Sequence, residues 1–185
     1  MLITTSRDPT HNLRRVSKII SLAIPNSQRM NRGSLSLHKL FTYCWNKQIF
    51  RLLILQETTK EEEIVLVKAY LIGKIPQFIN ATVELTDIIS LQRQRQRKKH
   101  RITVEKVYLD FSVEVNKIIK ERITDFFQYV AQDSNHIIGA KNYLTISFRK
   151  KTRTSVIGQA IQQNSSKFFP LFNIHISSEC VNNEY

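Results

Sequence analysis

Two short stretches near the front of the chain gather side chains suited to holding phosphate oxygens: Thr4-Thr5-Ser6-Arg7 and Asn31-Arg32-Gly33. Hydroxyls, a carboxamide and guanidiniums are all hydrogen-bond donors, and the guanidinium adds a fixed positive charge. The first stretch runs into Asp8-Pro9, an N-cap residue followed by proline at the first helical position, so the spacing predicts a helix start at that point. Unpaired amides at a helix N-terminus would add donors at the same spot. The plainer alternative is that Ser6 and Asp8 only cap the helix and Arg7 is solvated. Asn31 and Gly33 are equally good turn residues, which leaves Arg32 either a phosphate contact or an ordinary surface charge.

Charge along the chain favours the phosphate reading. The sequence has 28 Lys and Arg against 15 Asp and Glu, a net charge of +13. Residues 91–101 carry +6 of it, against +5 over 1–90 and +2 over 102–185. That central run, QRQRQRKKHR, holds Arg93, Arg95, Arg97, Lys98, Lys99 and Arg101 without an acid. Such side chains displace counterions from a phosphate backbone and make binding steeply salt-dependent. A second cluster, Arg149, Lys150, Lys151 and Arg153, falls in an expected loop. Arg14, Arg15 and Lys18 lie off the apolar stripe of the first helix, on the side open to a polyanion. Nucleic acid is the leading partner class. No stretch approaches the ~18 apolar residues of a spanning helix, and the start lacks a secretory h-region, so a cytoplasmic protein without membrane contact is expected.

Signals for catalysis are poor. GxxxxGK[ST], GxGxxG, GxSxG and HExxH are all missing, so no nucleotide, nucleophile-elbow or zinc-protease chemistry is indicated. The five histidines stand apart from one another, and Cys44 and Cys180 form no CxxC pair, so neither metal site nor cofactor is expected. Acids concentrate at Glu61-Glu62-Glu63, the expected tip of a hairpin, whereas a metal-dependent nuclease needs carboxylates converging from several elements. Aromatic residues follow core spacing rather than forming a stacking platform.

The elements that position these residues can be read from periodicity. A buried strand over Met1–Thr5 leads to a helix with Leu13, Val16, Ile20 and Ala23 inward, ended by Pro25. A brief strand at QRMN and a turn at Gly33 precede a second helix, capped by Ser34 or Ser36, with Leu37, Leu40, Phe41, Cys44 and Trp45 as its apolar stripe. IFRLLIL and EIVLVKAYLI read as a hairpin around ETTKEEE, followed by a strand near Ala81–Leu85. Beyond the basic run, ITVEKVYLDF is a strand, and VEVNKIIKERITDFFQYV a helix with Val115, Ile119, Ile123, Phe126, Phe127 and Val130 inward. YLTISF, IGQAI and FFPLFNIHIS complete a second strand, helix, strand, strand series. Residues 1–185 thus read as one domain with an N-terminal half of about 1–90, a basic linker of about 91–101 and a C-terminal half of about 102–185.

LITTSRDPT, then LRRVSKIISLAIPNS, then MNRGSLSLHKLF, in that order and spacing, resemble the N-terminal signature of the Brix domain family of ribosome-biogenesis proteins, here of the short archaeal type. The resemblance implies an α/β (α+β) fold of two similar halves, like the anticodon-binding domain of class II aminoacyl-tRNA synthetases, with helices packed on mixed sheets. It implies no catalysis and binding of precursor ribosomal RNA. The family positions carried over are Thr4, Thr5, Ser6, Arg7 and Pro9 in the first motif and Asn31, Arg32 and Gly33 in the second. YLTISFRKK is similar to the family's C-terminal I-x-F-R stretch, which places Arg149 there, with Lys150 beside it. The Gly-Pro-Thr element of many relatives is missing.

The function expected is therefore that of a non-enzymatic, rRNA-binding assembly factor reading phosphate backbone and shape more than base edges. Ribosomal or assembly-factor proteins are further partners; no small-molecule substrate is expected. The alternative is a protein-interaction module recruiting an acidic partner. The RNA reading expects the cationic side chains to share one continuous surface beside the opening loop.

Overall fold

Leu2 and Ile3 followed by two threonines make a strand whose alternate side chains serve opposite faces of a sheet. This is β1 (Leu2–Thr5), all four of whose residues are buried. The computed structural model describes residues 1–57, 64–72, 78–84, 104–127, 131–133, 142–151, 155–164 and 167–177. After β1 come α1 (His11–Ala23), β2 (Gln28–Arg29), α2 (Leu37–Asn46), β3 (Arg51–Glu57), β4 (Ile64–Leu71) and β5 (Phe78–Glu84). The second series is β6 (Lys106–Phe111), α3 (Lys117–Phe127), β7 (Ala131–Asp133), β8 (Asn142–Lys150), β9 (Ser155–Asn164) and β10 (Lys167–Ser177).

The first helix begins later than Asp8-Pro9 predicts. Thr10 is its N-cap, the hydroxyl accepting from the Leu13 amide at 3.2 Å. The ladder of β1 is prolonged by the Ser6 amide, which donates to the Leu55 carbonyl at 2.7 Å. The chain therefore needs Arg7, Asp8 and Pro9 to leave the sheet before a helix can turn over it. The second helix is capped by Ser36, whose hydroxyl accepts from the Lys39 amide.

Among the described residues ten strands form a single mixed sheet in the order β2-β1-β3-β4-β5-β10-β9-β8-β6-β7, where the sequence suggested sheets in the plural. β1 runs parallel to both β2 and β3, and β3, β4 and β5 follow antiparallel. The same pairing recurs across the middle of the sheet. β6 runs parallel to β7 and β8, and β8, β9 and β10 are antiparallel. The two series meet where β5 pairs antiparallel with β10.

Each face of the first series takes one helix. Ile3, Leu53 and Leu55 share a cluster with Leu13, Val16, Ile19, Ile20 and Ala23 of α1. Leu2, Leu52 and Ile54, one residue out of step, pack with Leu40 and Cys44 of α2 on the other face. β1 to β2 steps one way along the sheet, while β2 to β3 steps back over β1. Placing the two crossovers on opposite faces keeps both right-handed. In the second series Val107, Leu109, Leu144, Ile146 and Phe148 join Val115, Ile119, Ile123 and Phe126 around α3, and these merge with the α1 cluster into one core. Each such fully buried aliphatic side chain contributes about 1.5–3 kcal/mol.

Two sequence details are settled by this packing. Trp45, expected on the inward stripe of α2, is 57% exposed, because at the last turn the stripe has already passed the edge of the face held by Leu40 and Cys44. Pro170 lies inside β10, where the register shifts between Pro170 and Phe172; β5 pairs only with Ile174 to Ile176, so the missing N–H sits where the strand is bonded on one side. Val130, the ETTKEEE loop from residue 58 on and the whole 91–101 run lie outside the described residues.

Candidate nucleic-acid interface

The carboxyl end of β1 is where the chain reverses its direction of travel along the sheet. Open α/β sheets leave a crevice at such a switch point, because the crossovers on its two sides go to opposite faces. The loops that follow β1 and β2 both emerge here, and they are the two stretches singled out by residue type.

Their interlocking is specific. The Met30 amide donates to the Ile3 carbonyl at 3.0 Å, and the Thr4 hydroxyl donates to the Met30 carbonyl at 2.9 Å. Thr4 and Thr5 are both buried, and the Thr4 hydroxyl is spent on the neighbouring backbone. Ser6 is half-buried and Arg7 exposed. Gly33 adopts φ +55, and the turn around it closes with the Leu35 amide donating to the Arg32 carbonyl at 3.2 Å. That positive φ is what glycine supplies at this position. Arg32 folds back on the same turn, its Nε donating to the Leu35 carbonyl at 2.9 Å.

Arg7 and Arg32 are thereby held in each other's field. Burial, and after it the Arg7 cation, lower the pKa of Arg32 from its ordinary value, with Tyr70 opposing. Burial raises the Tyr70 phenol, against the pull of Arg32. Two like charges kept close cost energy unless an anion joins them. Among the described residues neither guanidinium is paired with a carboxylate.

Arg29, which residue type alone did not single out, organises the second loop. Its Nε donates to the Ser17 hydroxyl at 2.8 Å, and an Nη to Asn31 Oδ1 at 2.9 Å. Ser17 is fully buried on α1, so the loop is tied to the helix beside it. With Oδ1 occupied, the exposed Asn31 amide offers Nδ2 as a donor. The alternation of side chains in a strand reaching from Arg29 to Asn31 was the available signal.

The start of α1 departs from expectation in a second way. The Thr10 hydroxyl donates to the Glu57 carboxylate at the end of β3. A carboxylate beside the helix N-terminus takes up the favourable electrostatics that a phosphate would use. The anion-attracting part of this edge is therefore the arginine set, not the helix start. Pro9 is half-buried in the connecting loop, and Arg14, Arg15 and Lys18 are exposed on α1.

The second series repeats the geometry with different chemistry. The Ser112 amide donates to the Phe148 carbonyl at 3.0 Å, as Ser6 does to Leu55. The residue after Ser112 is Val113, fully exposed, where the first series has Arg7. Arg149 and Lys150 end β8 and are exposed. β6 and β8 run opposite to β1 and β3 in the ladder, so this end lies at the other edge of the sheet. The expectation of one continuous cationic surface fails for Arg149 and Lys150, since an even number of antiparallel steps would be needed to bring both ends to one edge. Arg93, Arg95, Arg97, Lys98, Lys99 and Arg101 lie outside the described residues.

The chain is 30% identical over 151 residues to the U3 small nucleolar ribonucleoprotein protein IMP4 of Homo sapiens, covering 80% of this chain and 50% of that protein. With the Saccharomyces cerevisiae IMP4 it is 30% identical over 103 residues, 55% of this chain and 36% of that one. A probable ribosomal biogenesis protein from Aeropyrum pernix K1 superposes with a TM-score of 0.62 at 15% identity, over 95% of this chain and 94% of the other. These likenesses support a Brix-type ribosome-biogenesis family for the chain. Mil, an archaeal Imp4-like protein, superposes with a TM-score of 0.51 at 16% identity, over 96% of this chain and 97% of that one. No family model matches the chain. It spans about half the length of the curated Brix-type relatives it matches. Among the described residues no helix is long and apolar enough to cross a membrane, and no group of three or more His, Cys, Asp or Glu is placed to hold a metal ion.

Proposed function

We propose that this chain is a non-enzymatic assembly factor that acts in the cytoplasm and holds precursor ribosomal RNA by its phosphate backbone during subunit formation. The observation that carries the reading is the Arg7–Arg32 pair at the carboxyl edge of β1, two cations in each other's field of which, among the described residues, neither is paired with a carboxylate. A phosphate placed there relieves that repulsion and accepts from both guanidiniums, with Asn31 Nδ2 and Ser6 as lateral donors. Arg14, Arg15 and Lys18 on α1 and the 93–101 cations extend the contact along the strand, and Arg149 and Lys150 form a separate patch. The repeated pairing of β1–β5 and β6–β10 supports a domain of two similar α/β halves, like the anticodon-binding domain, joined through the basic run. The curated relatives are named as U3 small nucleolar ribonucleoprotein proteins, which supports RNA and assembly-factor proteins as partners here.

Titrating a labelled rRNA fragment over a salt series tests this. Log affinity falls linearly with log salt in the wild type, and each lost phosphate contact reduces the slope by roughly 0.7–0.9. A salt-independent affinity, or one unchanged in an Arg7→Gln/Arg32→Gln variant, is incompatible with the proposal.

One observation favours a second reading, of a protein-interaction surface. Val113 is fully exposed and Ile118 is 59% exposed around the start of α3, apolar where the first series is cationic. A partner retained after nuclease treatment and lost in Val113→Asp would support it.

A further inference from the structure

The aromatic pair at the end of α2 is held in a fixed arrangement at the surface. The Gln48 amide donates to the Trp45 carbonyl at 3.0 Å and the Ile49 amide to the Cys44 carbonyl at 2.8 Å. Those two bonds are a Schellman motif, and they require the left-handed backbone that Gln48 adopts, φ 56. Glycine usually fills that position, and a glutamine there is strained. The turn throws Phe50 back against Trp45, their rings 6.5 Å apart and 85° to one another. Trp45 is 57% and Phe50 47% exposed.

We propose that Trp45 and Phe50 form a stacking site for an unpaired base of single-stranded RNA, with Lys47 on the adjoining phosphate. This rests on the RNA-binding reading above and deepens it, since it specifies RNA with unstacked bases. Charge selects the occupant: residues 30–50, which carry α2 and its flanking loops, contain Arg32, Lys39 and Lys47 and no Asp or Glu, so the local charge around the rings favours a polyanion. Size selects it too. A protein interface buries about 800 Å² a side, far beyond two ring faces, whereas a single base is the size of one ring. An edge-to-face pair covers at most one face of Trp45, which is 57% exposed, so the indole can take an offset-stacked third ring.

Trp45 is the single tryptophan of the chain and reports on its own occupancy. The full chain is titrated with oligoadenylate of about ten nucleotides and with an RNA duplex of equal length. Oligoadenylate quenches Trp45 fluorescence saturably and the duplex does not. In anisotropy, Trp45→Leu and Phe50→Leu weaken oligoadenylate binding about fivefold or more and leave duplex binding unchanged, while Trp45→Phe retains most of it. Because Trp45 is exposed, these variants keep the wild-type circular dichroism. Tight oligoadenylate binding without quenching, or equal affinity in Trp45→Leu, overturns the stacking site while leaving phosphate binding intact. Failure to bind either RNA overturns both.

Discussion

Arg51, the first residue of β3, donates its Nε to the carbonyl of Phe126 at 2.6 Å, bridging 75 positions of sequence. One Nη donates to the Asp125 carbonyl at 3.1 Å. Phe126 and Asp125 lie in the last turn of α3, whose carbonyls lack partners within the helix and carry the negative end of its dipole. Arg51 thus acts as a C-cap supplied by the other strand series, and it is buried. It joins the two series at a second place, besides the β5–β10 pairing.

Removing this guanidinium leaves buried carbonyls unsatisfied and deletes charge-assisted bonds. Arg51→Met is expected to lower stability by about 3 kcal/mol. Arg51→Lys recovers part of that, since a lysine places a charge near the helix end but cannot reach two carbonyls in a fork. Urea unfolding decides it. A loss below about 1 kcal/mol for Arg51→Met would show that the cap contributes little.

Gly158 on β9 sits opposite Phe148 on β8, and a Cβ there would come 2.6 Å from the Phe148 ring. Phe148 cannot give way. It is fully buried and stacked on Phe111, ring centroids 5.1 Å apart. Gly158→Ala is therefore expected to cost about 1–3 kcal/mol although alanine favours a strand more than glycine. Adding Phe148→Leu should recover part of the loss, a coupling that thermal unfolding of the double variant measures directly.

Periodicity carried most of the fold. The stripes Leu13, Val16, Ile20, Ala23 and Leu40, Cys44 are buried as their spacing requires, because each helix has one face to cover and the sequence writes that face locally. What spacing did not show depends on contacts between distant segments. Thr10, not Asp8, caps α1 because the β1 ladder extends to Leu55, and the role of Glu57 at that helix start appears only when β3 lies beside it. Arg51 reads as an anomalous charge in IFRLLIL until α3 is in place. The two motifs at this edge were legible by residue type, yet Thr4 and Thr5 are internal and Arg29 organises the second loop, since strand pleating decides which side chains face outward. The site of Arg149 followed from strand direction, which residue type does not encode.

Cys44 gives a pH signature. Burial, opposed by the N-terminal amino group, pushes its thiol from 9.0 to about 11. The unfolded chain therefore releases this proton near pH 9, while the folded chain keeps it. The unfolded state then binds fewer protons, so stability is full below pH 9 and falls as pH rises toward 11, by at most about 1.4 kcal/mol per unit. Tyr70 is shifted in the same direction by burial and adds to the fall. Cys44→Ala should flatten the slope without abolishing it. In a Cys180→Ser background the native thiol should also resist alkylation at pH 8 and react on unfolding; rapid native labelling would contradict its burial.

The separation of the two cationic edges makes a quantitative prediction for RNA binding. In the function proposed above Arg7 and Arg32 hold one phosphate together, so losing either changes what the other contributes, and their substitutions should not add. Arg149 stands at the other edge of the ladder, and groups without shared partners act independently. In a double-variant cycle on an rRNA fragment, Arg7→Gln with Arg32→Gln should therefore show a coupling of about 0.5 kcal/mol or more, and Arg7→Gln with Arg149→Gln none outside error. Arg7→Gln alone should make the free protein slightly more stable at low salt, because it removes the charge that depresses Arg32, while it weakens RNA binding. An Arg7→Gln protein that loses stability and RNA affinity together would mean that Arg7 is a structural residue, and that the repulsion it shares with Arg32 is not what the anion relieves.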